Sequence, residues 1–287
     1  MTEEQAGPAP DRQARDRSAA ELGAAQSTLF IPLTARAKET RRRHPALRDP
    51  KAIEILESVD SVVAGFDGRG WCGFVTVVRT LVFDHWIREF LVRDPGGTVV
   101  ELGTGLNTRF ERIDNGTAGW IDLDLPDVIE LRRRFFADEG RRRMIAASLA
   151  GQDWLDQVAA RPGPYFFVAD GVLPYVPPDE VEATLTRIAA RFPGASLAFD
   201  AYPRRAMEIQ HQQAAKRGMA ARWAWACDDP KSLERLGLRL MESASVTHPP
   251  PALRRKLPAR YRYLLPLADP VLGKNILALS LFRAERA

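Results

Sequence analysis

The run Val99-Val100-Glu101-Leu102-Gly103-Thr104-Gly105-Leu106-Asn107-Thr108-Arg109-Phe110 constrains the fold of this chain more than any other segment. An apolar strand that leads into a Gly-x-Gly turn exposes backbone without β-carbons at the strand's carboxyl end, the usual place for ligands in open α/β sheets. Glu101 stands where that strand ends. About 20 residues further on, a second apolar strand at Trp120-Ile121 ends in Asp122-Leu123-Asp124-Leu125-Pro126, which supplies carboxylates where ribose hydroxyls need acceptors. Together the two elements imply a nucleoside cofactor.

A dinucleotide site carries a third glycine three residues after the second, so that a helix N-terminus can hold pyrophosphate. Here Thr108 has that place, followed by Arg109 and Phe110. S-adenosylmethionine (SAM) has no phosphate, so the missing glycine favours SAM as the cofactor.

With 287 residues, 45% of them hydrophobic and 27% charged, the chain has the make-up of an ordinary soluble globular protein with a substantial core. No run approaches the roughly 20 consecutive apolar residues of a membrane span, and the polar N-terminus lacks the apolar segment of a secretory signal. A cytoplasmic protein without a membrane partner is expected. Cys72 and Cys227 are too few for a disulfide framework, and His44, His85, His211 and His248 have no metal-ligand spacing. The net charge of +4 is modest. The clusters Arg41-Arg42-Arg43, Arg132-Arg133-Arg134 and Arg141-Arg142-Arg143 lack the interleaved aromatics of a nucleic-acid platform and read as solvated faces.

Residues 1–27 are polar and cannot repay the entropy of ordering, so a disordered tail is expected there. Residues 28–58 read as helical, broken at Pro45 and before Pro50, where Asp49 can cap the next helix. Between Phe74 and Val92 the apolar positions Val82, Trp86 and Phe90, with Phe83, Ile87 and Leu91 adjoining, predict a deeply buried helix. Arg79 on that helix needs a carboxylate, from the protein or from a ligand. This helical segment, 28–92, is expected to pack on a cofactor domain over 93–287.

That domain alternates: strand 98–102, helix 106–112, strand 119–123, helix 126–136, strand 143–146, a short helix near Trp154, and strand 165–169. The order predicts a Rossmann-like parallel α/β sheet with helices on both faces. A helix from Pro178 to about Phe192, strand 196–200, a helix opened by Asp229-Pro230 and closed by Gly237, and strands 238–246 and 274–282 complete it. At the end of the fourth strand come Asp170-Gly171-Val172-Leu173-Pro174-Tyr175. There Asp170 either stabilises the sulfonium or amino end of SAM or caps the following turn.

These segments, with Ala35-Arg36-Ala37-Lys38-Glu39-Thr40-Arg41-Arg42 and Ala147-Ser148-Leu149, resemble the leucine carboxyl methyltransferase superfamily, in its bacterial polyketide O-methyltransferase branch. The resemblance runs from about residue 28 to the C-terminus. It implies a class I SAM-dependent methyltransferase sheet with a helical N-terminal segment and a lid over the acceptor site. It also implies that Lys38 and Arg79 hold the methionine carboxylate, that Gly103 and Gly105 line the cofactor beside Glu101, and that Asp124, with Asp122 just before it, binds ribose. Ser148 and Leu149 take the adenine-contacting position, and Asp170 stands where the eukaryotic branch has glutamate.

The acceptor region is expected in an insert over 201–226 and an arm over 248–270. Tyr175, Tyr202, Arg204, Met207, His211, Arg222, Trp223 and Trp225 are its candidate walls and anchors. Aromatic walls with a few polar groups suit a flat aromatic small molecule. A carboxylate acceptor is ionised at neutral pH and needs only a cation such as Arg204 or Arg222, whereas a phenol, with a pKa of about 10, gains from a base such as His211. The resemblance favours carboxyl methylation of an aromatic polyketide-like acid. Phenolic O-methylation, methylation of a peptide or protein C-terminus, and SAM binding without turnover are the alternatives.

Overall fold

The computed structural model describes residues 29–59, 70–216, 223–272 and 277–285; the expected tail over 1–27 and the candidate Arg222 lie outside them. Two helices, α1 (Phe30–Thr40) and α2 (Pro50–Ser58), precede the long α3 (Gly70–Arg93). The α/β order follows: β1 (Thr98–Leu102), α4 (Arg109–Ile113), β2 (Gly119–Asp124), α5 (Pro126–Arg132), β3 (Arg142–Ala146), α6 (Asp153–Ala159) and β4 (Tyr165–Ala169). Then come α7 (Pro178–Arg191), β5 (Ser196–Ala201), α8 (Arg204–Lys216), β6 (Leu238–Ala244), α9 (Pro251–Lys256), α10 (Ala259–Leu272) and β7 (Ala278–Ala284).

The strands form one sheet in the order β3-β2-β1-β4-β5-β7-β6. The first five are parallel, and β7 runs antiparallel between β5 and β6. The order of strand addition reverses between β1 and β4, which opens the ligand crevice at their carboxyl ends. Alternate residues of each central strand serve opposite faces. Val100, Leu102, Phe167 and Ala169 join the core under α6 and α7, whereas Val99, Phe166 and Val168 join the core under α3 and the arm. A third cluster packs Phe30, Leu33, Ala52 and Ile55 of α1 and α2 against Ile129 and Leu131 of α5, fastening the N-terminal helices to the sheet domain.

Several boundaries move for identifiable reasons. The helix expected from residue 106 starts at Arg109, because Gly103 (φ +66°) and Gly105 (φ +51°) hold the preceding loop in left-handed conformations. The segment after Asp229 is a 3-10 turn over Pro230–Leu236, closed by Gly237 at φ +79° as expected. Asp49 does cap α2, its Oδ1 accepting from Ala52 N at 3.0 Å. The arginine clusters are not uniformly solvated. Arg132 and Arg142 turn inward to 1% and 5% exposure, because the sealed Asp122 carboxylate requires countercharge and the Phe136 ring accepts both guanidiniums at 4.1 and 4.7 Å. No helix among the described residues is long and apolar enough to cross a membrane.

Candidate active site

The glycine turn is built for close approach. A β-carbon on Gly103 would lie 2.6 Å from both γ-carbons of Val172, in the loop after β4. Leu123 O receives the Gly103 and Thr104 amides at 2.8 and 3.0 Å, tying the turn to β2. Asp124, half-buried at the end of β2, accepts from Gly105 N at 2.7 Å and from Leu125 N at 2.8 Å, so its carboxylate is fixed at the mouth of the loop. Burial raises its pKa above the usual carboxylate value against the pull of those two amides.

The two aspartates of β2 have separate fates. Asp122 is fully buried and is satisfied by Arg142 at 2.7 Å, Arg132 at 3.1 Å and the Thr104 hydroxyl at 3.1 Å. It is closed off from the crevice, so of the pair only Asp124 stands where a ribose can reach it.

Beneath the crevice lies a chain of buried ion pairs that sequence reasoning did not find. Arg109, with no exposed surface, gives Nε to Asp84 at 2.8 Å, one terminal nitrogen to Glu101 at 2.7 Å and the other to Asp170 at 2.8 Å. The other oxygen of Asp170 meets Arg79 Nε at 2.6 Å. Arg79 also reaches Asp200 at 3.0 Å and the Tyr202 hydroxyl at 3.2 Å, and the second Asp200 oxygen accepts from Gly171 N at 2.7 Å. Arg112 extends the chain from Asp84 at 3.0 Å to Asp49 at 3.2 Å, and Asp49 holds Arg36 of α1 at 2.8 Å. Arg79 thus has protein carboxylates as partners, while its Nε and the Asp170 Oδ1 beside it stay buried without a hydrogen-bond partner among the described residues. The signals available were Asp84 among the apolar positions of the same helix as Arg79 and Asp200 at a strand end, but neither names its partner.

The electrostatics divide these carboxylates. Burial raises the Asp170 pKa, but Arg79 and Arg109 together hold it below the usual range. Burial pushes Glu101 up to about 7, with Asp122 adding to the rise and Arg109 opposing it. The unfolded chain ionises this group near its ordinary value of 4.5. Stability is therefore lost as the pH rises from 4.5 to about 7. Glu101→Gln is expected to gain on the wild type over that pH range in urea denaturation. A stability difference that stays constant across that range would refute the shift.

The remaining candidates are dispersed. Lys38 is half-buried on α1 and has no ion pair with a described residue. Ser148 is exposed and its hydroxyl accepts from Ala150 N at 3.2 Å, while Leu149 beside it is buried. The Tyr202 ring lies 4.1 Å from that of the half-buried Trp223, and Tyr175 is exposed. His211 Nε2 donates to Trp223 O at 2.8 Å. Met207 is half-buried. Arg204 is exposed and lies 3.9 Å from Asp228, so it is not tied into the site. Trp225 is a core residue, 4% exposed with its ring against Phe199, and is no pocket wall. Among the described residues no cluster of His, Cys, Asp or Glu could hold a metal.

The crevice fits SAM on its own terms. It has a glycine turn with no room for a β-carbon on Gly103, a carboxylate fixed at the end of β2 where a ribose hydroxyl would need an acceptor, and a cation on α3 paired with a carboxylate just beyond β4 that suit an amino-acid tail. Topology and site together define a SAM-dependent methyltransferase of the Rossmann-like class. The model of the leucine carboxyl methyltransferase family matches residues 30–189. The tetracenomycin polyketide synthesis O-methyltransferase of Streptomyces glaucescens is 34% identical over 80% of this chain and 86% of its own length. A SAM-dependent methyltransferase of Gibberella zeae is 29% identical over 81% and 86%. The fold is shared with a crystal structure of a DUF574 family protein from Streptomyces avermitilis, at a TM-score of 0.51 and 16% identity over 74% of this chain and 84% of that one. The chain belongs to the leucine carboxyl methyltransferase family.

Proposed function

We propose that this enzyme methylates a carboxylate oxygen of an aromatic, polyketide-like small molecule. The observation that carries this reading is the Tyr202–Trp223 ring pair at the end of β5, joined through the Tyr202 hydroxyl to Arg79 and so to the Asp170 side of the crevice. Such a wall suits a flat apolar acceptor. The 34% identical relative named for polyketide O-methylation supports the same class of acceptor.

Bound SAM supplies an already activated methyl group, so the chain's work is orientation. In this reading Asp124 holds the ribose, Lys38 and Arg79 hold the methionine carboxylate, and Gly103 and Gly105 give the cofactor its backbone contact. A carboxylate acceptor arrives ionised and requires no base. Phenolic methylation is the second reading, favoured by one observation: the His211 imidazole is anchored through Nε2 to the carbonyl of Trp223, a residue of the same aromatic pair.

The two are separated by incubating the enzyme with methyl-labelled SAM and matched panels of aromatic acids, their esters and phenols, then treating the products with alkali. Release of labelled methanol from the acids supports ester formation, and alkali-stable label on the phenols overturns it. Trp223→Ala is expected to raise the acceptor KM about tenfold, roughly 1.4 kcal/mol of lost ring contact, without changing SAM affinity. A KM that stays at the wild-type value would remove Trp223 from the acceptor wall.

A further inference from the structure

We propose that Arg109 is a positioning residue for the cofactor, holding Asp170 and Glu101 in the orientation that the amino-acid end of SAM meets. The inference rests on the reading of the crevice above and goes beyond it, since Arg109 is sealed and touches no ligand.

Three observations single it out. Arg109 is the first residue of α4, so it follows directly on the glycine turn, and its guanidinium joins three separate elements through Asp84 of α3, Glu101 of β1 and Asp170 beyond β4. Its tie to α3 is shared, because Arg112 also binds both oxygens of Asp84 at 3.0 Å, so Asp84 is held in place and anchors the Arg109 guanidinium. What Arg109 alone does is bind Glu101 and Asp170 at once. Finally, Asp170 keeps 9% of its side chain exposed while one oxygen makes an ion contact with Arg79 at 2.6 Å and the other accepts a hydrogen bond from Arg109 at 2.8 Å. With Arg109 removed, one oxygen is released and the carboxylate can rotate about the remaining pair. A planar fork can span three carboxylates and a lysine cannot, so charge alone does not replace it.

The test compares affinity for SAM with affinity for 5′-methylthioadenosine, which keeps the nucleoside and the sulfur but lacks the amino-acid end, by calorimetry. Arg109→Lys is expected to weaken SAM at least about tenfold, 1.4 kcal/mol, while 5′-methylthioadenosine changes less than about twofold. Arg142→Lys breaks another buried pair, to Asp122 and Glu111, without touching Asp170. It should lower the melting temperature yet leave the ratio of affinities unchanged. Asp170→Asn tests the underlying reading directly. If it leaves the ratio at the wild-type value, Asp170 does not face the amino-acid end. If it lowers the ratio and Arg109→Lys does not, the role given to Arg109 fails alone. Should Arg109→Lys not fold, Asp84→Asn frees one of the three anchors and is expected to lower the ratio about threefold, about 0.6 kcal/mol; an unchanged ratio there overturns the proposal.

Discussion

Gly103→Ala is expected to abolish SAM binding while leaving a folded protein. The new β-carbon meets two costs. At φ +66° an alanine pays about 1 kcal/mol for the left-handed backbone. Its β-carbon would also stand 2.6 Å from both γ-carbons of Val172, an overlap worth a further 1–3 kcal/mol, roughly, in a side chain with a stiff χ1. The easiest relief is for the turn to back away from Val172. That motion carries Gly105 N with it, and so the 2.7 Å hydrogen bond that fixes Asp124. Stability should therefore fall by a few kcal/mol and calorimetry should detect no SAM binding. Adding Val172→Ala restores space but not the backbone preference, so the double variant should recover stability in part and bind weakly. Wild-type affinity in Gly103→Ala would mean that the cofactor does not approach this turn.

The parts of this molecule that sequence makes legible are those whose cause is local. Gly103, Gly105 and Gly237 announce their backbone conformations, Asp49 announces its cap, and the alternation from residue 98 to 169 announces the parallel sheet. The place of Asp124 is legible for the same reason, since a carboxylate at a strand end beside a glycine turn meets that turn's amides, here Gly105 N at 2.7 Å. Asp122 shows the limit. Two positions earlier on the same strand and of the same residue type, it is sealed by Arg132 and Arg142, whose inward turn no local pattern foretells. Trp225 fails similarly: an aromatic in an expected acceptor insert is packed against Phe199 in the main core.

The ion chain was hidden because its partners lie far apart in sequence. Arg79 and Asp200 are 121 residues apart, and Arg109 and Asp170 are 61 apart. Each such charge is costly to bury alone, so the fold assembles them together, with Arg36, Arg79, Arg109 and Arg112 interleaved among Asp49, Asp84, Glu101, Asp170 and Asp200. The arrangement joins the N-terminal helices to the crevice through charge. Lys38, two positions beyond Arg36 on the same helix, is placed by the same fastening.

Asp49 is the far end of that chain, and Asp49→Ala is expected to be the most destabilising single change in it. The carboxylate is fully buried and serves four partners: Arg36 at 2.8 Å, Arg112 at 3.2 Å, the Thr108 hydroxyl at 2.5 Å and the Ala52 amide at 3.0 Å. Arg112 retains Asp84, whereas Arg36 keeps, among the described residues, the Leu106 carbonyl at 3.2 Å and loses its carboxylate partner, with the Asp170 charge left acting on it from farther off. Breaking a buried pair from one side costs about 3–5 kcal/mol, and loss of the α2 cap adds about 1 kcal/mol. Asp49→Asn keeps a carbonyl oxygen for Ala52 N but puts an NH2 group, a donor, where Oδ2 accepted from Arg36, Arg112 and Thr108, so it should lose most of the first cost and little of the second. Urea denaturation of the three proteins separates these: a loss of about 4–6 kcal/mol for alanine with asparagine about 1 kcal/mol better fits the paired charge as the main contribution. Near-equality of asparagine with the wild type would assign the stability to hydrogen bonding and leave the charge on Arg36 satisfied without Asp49. Because α1 carries Lys38, the alanine variant should also weaken SAM under conditions where it remains folded, which ties the stability of the N-terminal helices to occupancy of the crevice.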